Sequence, residues 1–251
     1  MLKKLLIIFI FFYSSSYASQ SRNLTIFAEA NIALPLTKIA RQYSRISNVI
    51  VSVNFNSPEN LINNIDSGEP ADLYISAHTK WIELLHQKGV VDIYNIGYIA
   101  QDKLVLVTNN NNELSYTKSL NNPSLIDALN ILALNKATIL IDEEGNSAGL
   151  FARNLLNKID ADLKVFSRLL EDKTSIINAI KSNKNNYSLL LKSQIYNKHN
   201  FKIIAEGINK PIFYQALVIA GDNMEVAREF LRFVKSAQSK KYLTSYGFIV
   251  N

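Results

Sequence analysis

The sequence predicts an α/β protein, and three observations lead to this class. Short β-prone segments alternate along the chain with segments whose apolar residues recur at the spacing of one helix face. The stretch from Gly68 to Ala77 has the pattern of a turn followed by a short buried strand that ends where a helix begins. In open α/β sheets, ligands bind at such strand-to-helix corners. The length of the chain also suits either one α/β domain or two lobes of about a hundred residues each.

The first eighteen residues are predicted to form a secretory signal peptide. Lys3 and Lys4 precede an apolar run from Leu5 to Tyr13, and Ser16 and Ala18 place small residues at the −3 and −1 positions. The run is too short to cross a membrane, which takes roughly 20 apolar residues. Cleavage after Ala18 removes 18 of the 251 residues and leaves 233.

Composition narrows the class of protein further. The chain has no cysteine, which excludes disulfides, thiolate metal sites, a Cys nucleophile and a lipid-anchored Cys. A secreted binding protein without an anchor stays near its cell only behind an outer membrane, so we expect the periplasm of a Gram-negative bacterium. Loss of Lys3 and Lys4 lowers the formal net charge from +6 to +4. The remaining basic residues are scattered, so no nucleic-acid partner is expected.

The strands are predicted from β-prone apolar runs, in chain order. Asp72–Ile75 follows the Gly68 turn and is too apolar for a loop. The other predicted strands are Leu24–Ala28, Val49–Phe55, Leu104–Thr108, Ala137–Ile141, Ser188–Leu191 and Ala216–Ala220.

The helices are predicted from apolar periodicity and from their end signals. A first helix face is formed by Ile32, Leu36, Ile39, Ala40 and Tyr43, and a later one by Phe151, Leu155, Leu156 and Ile159. Thr79 is the predicted N-cap of a helix from Lys80 to about Gln87, which Gly89 would end.

Several of these segments together resemble the molybdate-binding periplasmic proteins of bacterial ABC importers. The resemblance covers almost the whole mature chain and keeps the order and spacing of the family's segments. It is carried by Phe27–Asn31, Leu61–Ala77 followed by Lys80 and Trp81, Asp142–Gly149, Glu171–Asp172 and Tyr246–Phe248.

The resemblance implies a two-lobed periplasmic-binding-protein fold of type II, with the ligand cleft between the lobes. Residues 22–102 and 212–251 would form one lobe, and residues 103–211 the other. The final helix, carrying Val226, Phe230 and Val234, would pack on the first lobe. The implied partners are the membrane subunits of an ABC importer and a small anion, and we expect a monomer.

The family's site grips a tetrahedral oxyanion with neutral donors only, namely hydroxyls and backbone N–H groups at helix N-termini. The first of its five positions, a Ser in the family, is Asn31 here. The second, also a Ser, is Pro58, which offers neither hydroxyl nor N–H. Ser57 could substitute, or could serve as an ordinary helix N-cap before proline.

The remaining three positions keep one donor intact and change two. Ala148 would act through its backbone N–H at a helix N-terminus. Lys173 keeps the N–H of the fourth position and adds a charge, either in the cleft or on the surface. Leu191 stands where the family has a Tyr hydroxyl. Glu29 fits an oxyanion site poorly unless it faces solvent or pairs with Lys173.

Three functions are therefore considered. The first is a binding protein that delivers molybdate or a similar oxyanion to an importer. The second keeps the transport role for a small zwitterion or organic acid, held by Glu29 and Lys173. The third, an extracytoplasmic hydrolase, has little support, because no catalytic motif accompanies His78, His86 or His199. We expect no enzyme activity, no cofactor and no metal beyond a molybdate ligand.

Overall fold

The described residues form two five-stranded sheets, each flanked by helices. The computed structural model of the chain describes residues 22–112, 123–135, 137–159, 167–169, 173–183, 186–207 and 211–250. The predicted signal peptide and the Glu171–Asp172 pair lie outside them. None of the described helices is long and apolar enough to span a membrane.

Ten described strands form the two sheets. They are β1 (Arg22–Glu29), β2 (Val49–Asn56), β3 (Leu73–Ser76), β4 (Val91–Asp102), β5 (Leu104–Asn109), β6 (Ile139–Ile141), β7 (Ser167–Leu169), β8 (Tyr187–Leu191), β9 (Phe201–Glu206) and β10 (Ile212–Ile219). The first sheet has the order β2-β1-β3-β10-β4, and the second has the order β7-β6-β8-β5-β9.

The described helices lie mostly between successive strands, and two of them follow the last strand. They are α1 (Ala33–Ser47), α2 (Pro58–Asp66), α3 (Thr79–Gln87), α4 (Leu125–Leu134), α5 (Ser147–Leu156), α6 (Lys173–Ser182), α7 (Lys192–Ile195), α8 (Met224–Val234) and α9 (Ala237–Thr244), with a 3-10 turn at Ala30–Ile32.

Both sheets contain parallel and antiparallel strand pairs, and the chain returns to the first sheet after it has completed the second. In the first sheet β1 runs parallel to β2 and β3, while β10 runs antiparallel to β3 and β4. Strand β10 therefore belongs to the first sheet although the whole second sheet precedes it in the chain. We call the parts of the molecule around the first and second sheets lobe 1 and lobe 2.

Strands β3, β5, β6 and β8 are buried on both faces, with successive side chains pointing to opposite sides. On β5, Leu104 and Leu106 join a buried cluster that extends through both lobes, while Val105 and Val107 join a cluster confined to lobe 2. Helix α8 packs on α1 in lobe 1, where the Phe230 ring contacts Tyr43 edge-on at 5.2 Å between centroids. The continuous core brings the lobes into direct contact.

The structure corrects several sequence predictions. Helix α3 begins at Thr79, so His78 and not Thr79 is at the N-cap, and the His78 side chain makes no capping bond. Helix α8 is followed by α9 and is not the final helix. Strands β4, β7 and β9 were not predicted. The β4 sequence contains Asn95 and Gly97, which interrupt the apolar pattern on which such predictions depend.

Several strand starts also differ from the predictions, and β1 begins at Arg22 instead of Leu24. Strand β6 begins at Ile139 instead of Ala137, and β10 begins at Ile212, four residues earlier than predicted. The early start of β10 comes from antiparallel pairing with β4, which extends from Ile212 opposite Asp102. Long-range pairing of this kind is not encoded in local periodicity.

Candidate functional site

The candidate site is a buried carboxylate held between the two lobes. The Glu29 side chain is only 2% exposed. Its Oε2 accepts hydrogen bonds from the Ser147 hydroxyl at 2.7 Å, the Ser76 hydroxyl at 3.1 Å and the Ala77 backbone N–H at 3.1 Å. Its Oε1 accepts a bond from the side-chain amide of Asn31 at 3.0 Å. The hydrogen-bond donors come from three separate segments of the chain.

Each segment reaches the site because a strand or loop ends there and a helix begins. Glu29 is the last residue of β1, where extended backbone at φ −56° and ψ 135° leads into the 3-10 turn. Ser76 ends the parallel neighbour β3, and Ser147 is the first residue of α5 in lobe 2. Because β1 and β3 are parallel, their carboxyl ends meet at one edge of the sheet. This edge faces the N-terminus of α5.

Two further polar contacts join the lobes around this carboxylate. The His78 Nε2–H donates to the Glu144 backbone carbonyl at 2.8 Å. The Gln194 side-chain amide donates to the Asn31 Oδ1 at 3.0 Å. Asn31 therefore donates to Glu29 in its own lobe and accepts from lobe 2. Together with the Ser147–Glu29 bond, these contacts join the two lobes across the cleft, which is closed around the carboxylate.

Two phenols and one imidazole that interact with the Glu29 charge are neutral at pH 7, while the nearby Asp142 carboxyl has a pKa raised by burial and, to a smaller extent, by Glu29. Burial raises the pKa values of the Tyr74 and Tyr214 phenols, and the Glu29 charge adds to the rise. Burial also lowers the pKa of His78, although its bond to the Glu144 carbonyl opposes this change. Among the described residues, the recorded hydrogen-bond partners of Glu29 are all neutral.

Neutral donors can hold such an anion if there are enough of them. A hydrogen bond to a charged group contributes roughly 1.5–3 kcal/mol. Removing one carboxylate from water costs several kcal/mol even after relaxation. Four donors supply stabilisation of the same order, so the arrangement can retain a buried negative charge without a cationic side chain.

The first two predicted ligand positions lie in lobe 1. Asn31 contacts Glu29 directly, as described above. Ser57 is the N-cap of α2, and its hydroxyl accepts from the Asn60 backbone N–H at 3.3 Å. Pro58 occupies the first helical position and is buried. Ser57 thus has the structural role that its position before proline suggests.

The other three predicted positions lie in lobe 2. Ala148 is fully buried, and it directly follows Ser147 in the first turn of α5. Leu191 is fully buried at the end of β8, and its N–H donates to the Gln194 Oε1 at 2.8 Å. The Lys173 backbone begins α6, and its side chain lies outside the described part of the structure.

Sequence reasoning missed most of the donors and misjudged the acceptor. It left open whether Glu29 faces solvent, and the structure buries this side chain. It did not select Ser76, Ser147 or Gln194. Ser147 could have been found from its place beside Ala148 at a predicted helix N-terminus. Ser76 ends a short strand whose four residues are all buried, and a polar residue there needs a partner.

No cluster of three or more potential metal-ligating side chains occurs within the described residues. His78 donates to a carbonyl in a buried lobe contact, and His86 is in the last turn of α3. His199 lies in the polar segment before β9. The three histidines are therefore on different elements and form no common site in the described structure.

Comparison with known proteins yields consistent relatives. The molybdate-binding protein ModA of Haemophilus influenzae is 25% identical over 242 residues, which are 93% of this chain and 92% of that protein. The periplasmic molybdate-binding protein of Azotobacter vinelandii has a similar structure, with a TM-score of 0.63, 20% identity and coverage of 91% of this chain and 99% of that one. A tungstate-binding protein from Desulfovibrio alaskensis G20 matches with a TM-score of 0.73 at 12% identity, over 92% and 99% of the two chains.

These structures confirm the predicted type II periplasmic-binding-protein fold, with two α/β lobes and a cleft between them. The family model described as bacterial extracellular solute-binding protein matches residues 24–249, nearly all of the described chain. The chain therefore belongs to the family of bacterial extracellular solute-binding proteins.

Proposed function

We propose that this protein binds molybdate or a similar tetrahedral oxyanion and delivers it to an ABC importer. The observation that carries the proposal is the group of neutral donors from both lobes that converges on the Glu29 carboxylate. A site whose described residues hold one anion through neutral donors suits another anion of similar size. The molybdate-binding and tungstate-binding names of the relatives support this choice of solute.

The α5 N-terminus is the part of the site best suited to an oxyanion. The first turn of a helix presents unpaired N–H groups and a partial positive charge, which favour an anion. Ser147 and Ala148 form this turn. On the lobe 1 side, the Ser76 hydroxyl, the Ala77 N–H and the Asn31 amide supply donors. All of these groups donate, as a fully deprotonated oxyanion requires.

Solute capture would use the two-lobed architecture. We propose that residues 22–102 with 212–251 and residues 103–211 move as two bodies about the chain crossings near Asp102 and Ile212. Closure around a solute would present both lobes in one fixed arrangement, which the importer's membrane subunits recognise. Such a hinge movement needs only a few residues to change conformation.

The proposed location is the periplasm, reached through cleavage of the signal peptide after Ala18. N-terminal sequencing of the mature protein tests this, and we expect it to begin at Ser19. A mature protein that retains the run from Leu5 to Tyr13 would show that the segment is an anchor.

A small zwitterion or organic acid is the second candidate solute, and Glu29 is the observation that favours it. A carboxylate accepts hydrogen bonds and cannot donate them, so it suits a solute with an ammonium or hydroxyl group. The solute itself decides between the candidates. Native mass spectrometry of the protein purified from periplasm would give the mass of a retained oxyanion or organic ligand.

Calorimetric titration of solute-free protein then tests the oxyanion directly. We expect molybdate or tungstate to bind and Ala148→Pro to weaken this binding by about tenfold or more, because proline removes an N–H donor in the first turn of α5. The matched control is Ala237→Pro, since Ala237 is the exposed first residue of α9, far from the cleft in sequence and on another helix. Absence of oxyanion binding, or equal binding by a folded Ala148→Pro variant, would contradict the proposal.

A further inference from the structure

We propose that Glu29 is a tethered occupant of the anion site, whose carboxylate accepts in the solute-free protein the hydrogen bonds that a bound oxyanion would accept. The carboxylate lies between the lobes and receives donors from both. The lobes are thus held closed by an anion that belongs to the chain itself. This inference rests on the proposed function only for the identity of the competing solute.

The donors around Glu29 are already in use by its two oxygens. Oε2 accepts three bonds, and Oε1 accepts the fourth. The Ser76 hydroxyl oxygen accepts a hydrogen bond from the His78 backbone N–H at 3.0 Å. Its single proton is donated to Glu29. A hydroxyl has only one proton to donate. Ser76 and Ser147 therefore cannot donate to an added oxyanion while they donate to the carboxylate.

The backbone holds this carboxylate in place. Glu29 is the last residue of β1 and pairs with Asn56 of β2. The preceding residue, Ala28, pairs with Ile75 of β3. The side chain is nearly inaccessible to solvent. A buried carboxylate without hydrogen-bond donors is unfavourable in free energy. The donors around Glu29 and the closed cleft therefore stabilise one another. Opening the cleft breaks the Ser147 bond at 2.7 Å.

Two consequences follow for solute binding. A fully deprotonated oxyanion must displace the Glu29 carboxylate, since two anions sharing the same donors repel each other. Closure of the cleft also does not require a bound solute, because the Glu29 carboxylate accepts hydrogen bonds from both lobes. Glu29 therefore lowers the affinity for oxyanions and keeps the solute-free protein closed.

The experiment measures closure of solute-free protein by small-angle X-ray scattering. Native mass spectrometry first establishes that no solute is retained. We expect the wild type to have the compact radius of gyration of the closed form and Glu29→Ala to have a larger one. Glu83→Ala is the matched control, since Glu83 is an exposed glutamate on α3, and it should match the wild type. A wild type that is already open, or a Glu29→Ala variant as compact as wild type, would overturn the proposal.

Chemical rescue tests the tether more directly. Acetate or formate should enter the space vacated in Glu29→Ala and return the radius of gyration to the wild-type value, with no effect on wild type or Glu83→Ala. Failure of both carboxylates to compact a folded Glu29→Ala variant would count against the proposal. If Glu29→Ala does not fold, Glu29→Gln replaces it. The nearly isosteric amide turns one acceptor into a donor that faces donors, so we expect this variant to be open as well.

Trp81 provides a second readout of the same movement. It is the only tryptophan in the chain, and its ring lies 5.7 Å from His78, which bonds across the cleft to Glu144. The emission of Trp81 should shift in Glu29→Ala and return with acetate. An unchanged Trp81 spectrum in a folded Glu29→Ala variant would contradict opening of the cleft at the His78–Glu144 contact.

Oxyanion titration separates failure of this inference from failure of the proposed function. We expect Glu29→Ala to bind molybdate or tungstate at least about tenfold more tightly than wild type, because the internal competitor is absent. A wild type that is open and closes with molybdate would retain the proposed function and overturn the tether. Rescue by acetate without oxyanion binding by either protein would retain the tether and contradict the proposed solute.

Discussion

Ser147 donates a 2.7 Å hydrogen bond to the Glu29 carboxylate, although 118 residues separate them in the chain. The bond crosses from the first turn of α5 in lobe 2 to the end of β1 in lobe 1. It is the shortest recorded contact to this carboxylate among the described residues. The closed arrangement of the cleft therefore depends on a buried charge and on the donors that satisfy it.

Ser147→Ala should lower the free energy of unfolding by about 1–3 kcal/mol, because it removes a donor from a buried charged acceptor. Urea denaturation followed by circular dichroism measures the change. Ser245→Ala is the control, since the exposed Ser245 hydroxyl bonds only to a nearby carbonyl of its own helix. An equal, small effect of both substitutions would show that the interlobe bond contributes nothing to stability.

Gly149→Ala should destabilise the protein by about 3 kcal/mol or more, because a methyl group at this position overpacks rigid surroundings. A Cβ on Gly149 would lie 1.8 Å from the Glu143 carbonyl oxygen and 2.5 Å from that of Asp142. Backbone atoms cannot move aside without distorting the corner before α5.

Gly221→Ala is the matched control for Gly149→Ala, because nothing lies within 4 Å of a Cβ built there. It should change stability by less than about 0.5 kcal/mol. Thermal unfolding of both variants makes the comparison. Similar melting temperatures for the two would be inconsistent with the close approach at Gly149.

Deprotonation of the buried Asp102 should lower the free energy of unfolding as the pH rises between about 4 and 6. Burial raises its pKa from 3.8 to about 6, although bonds from Ser193 and from the Lys103 N–H oppose the rise. The folded state therefore holds a proton that the unfolded chain has lost in this window, which favours folding at the acid end. The loss across the window is about 3 kcal/mol.

Asp102→Asn isolates this contribution. The amide oxygen can still accept from the N–H groups of Lys103 and Ser193, which now bond to Oδ1 at 2.8 and 3.2 Å. The difference in unfolding free energy between wild type and variant should therefore change by this amount from pH 4 to 6.5. A difference that is constant with pH would mean that Asp102 titrates normally.

His78 should titrate below its ordinary pKa of 6.5, because burial disfavours the imidazolium. Its contribution to stability is complete above pH 6.5 and decreases as the pH falls toward the lower folded-state pKa. Proton NMR of the imidazole, assigned with His78→Gln, measures the shift. A His78 resonance that titrates at 6.5 or above would show that the ring is solvated and that the cleft is open in solution.

The sequence alone determined the α/β class and much of the element order. β-Prone apolar runs located β2, β5 and β8 to within one residue, because these segments follow local rules. Ser57 and Pro58 marked the start of α2 for the same reason. Strand β4 was missed, because its pairing with β10 comes from residues more than a hundred positions away.

The chemistry of the cleft was decided by the tertiary structure. The sequence shows Glu29 as a charged residue at the end of a strand, and either solvent or a salt bridge would explain it there. Only the meeting of β1, β3 and the α5 N-terminus reveals that its partners are neutral donors on different segments. Burial and hydrogen-bond satisfaction are properties of residues brought together from distant parts of the chain, so local sequence cannot specify them.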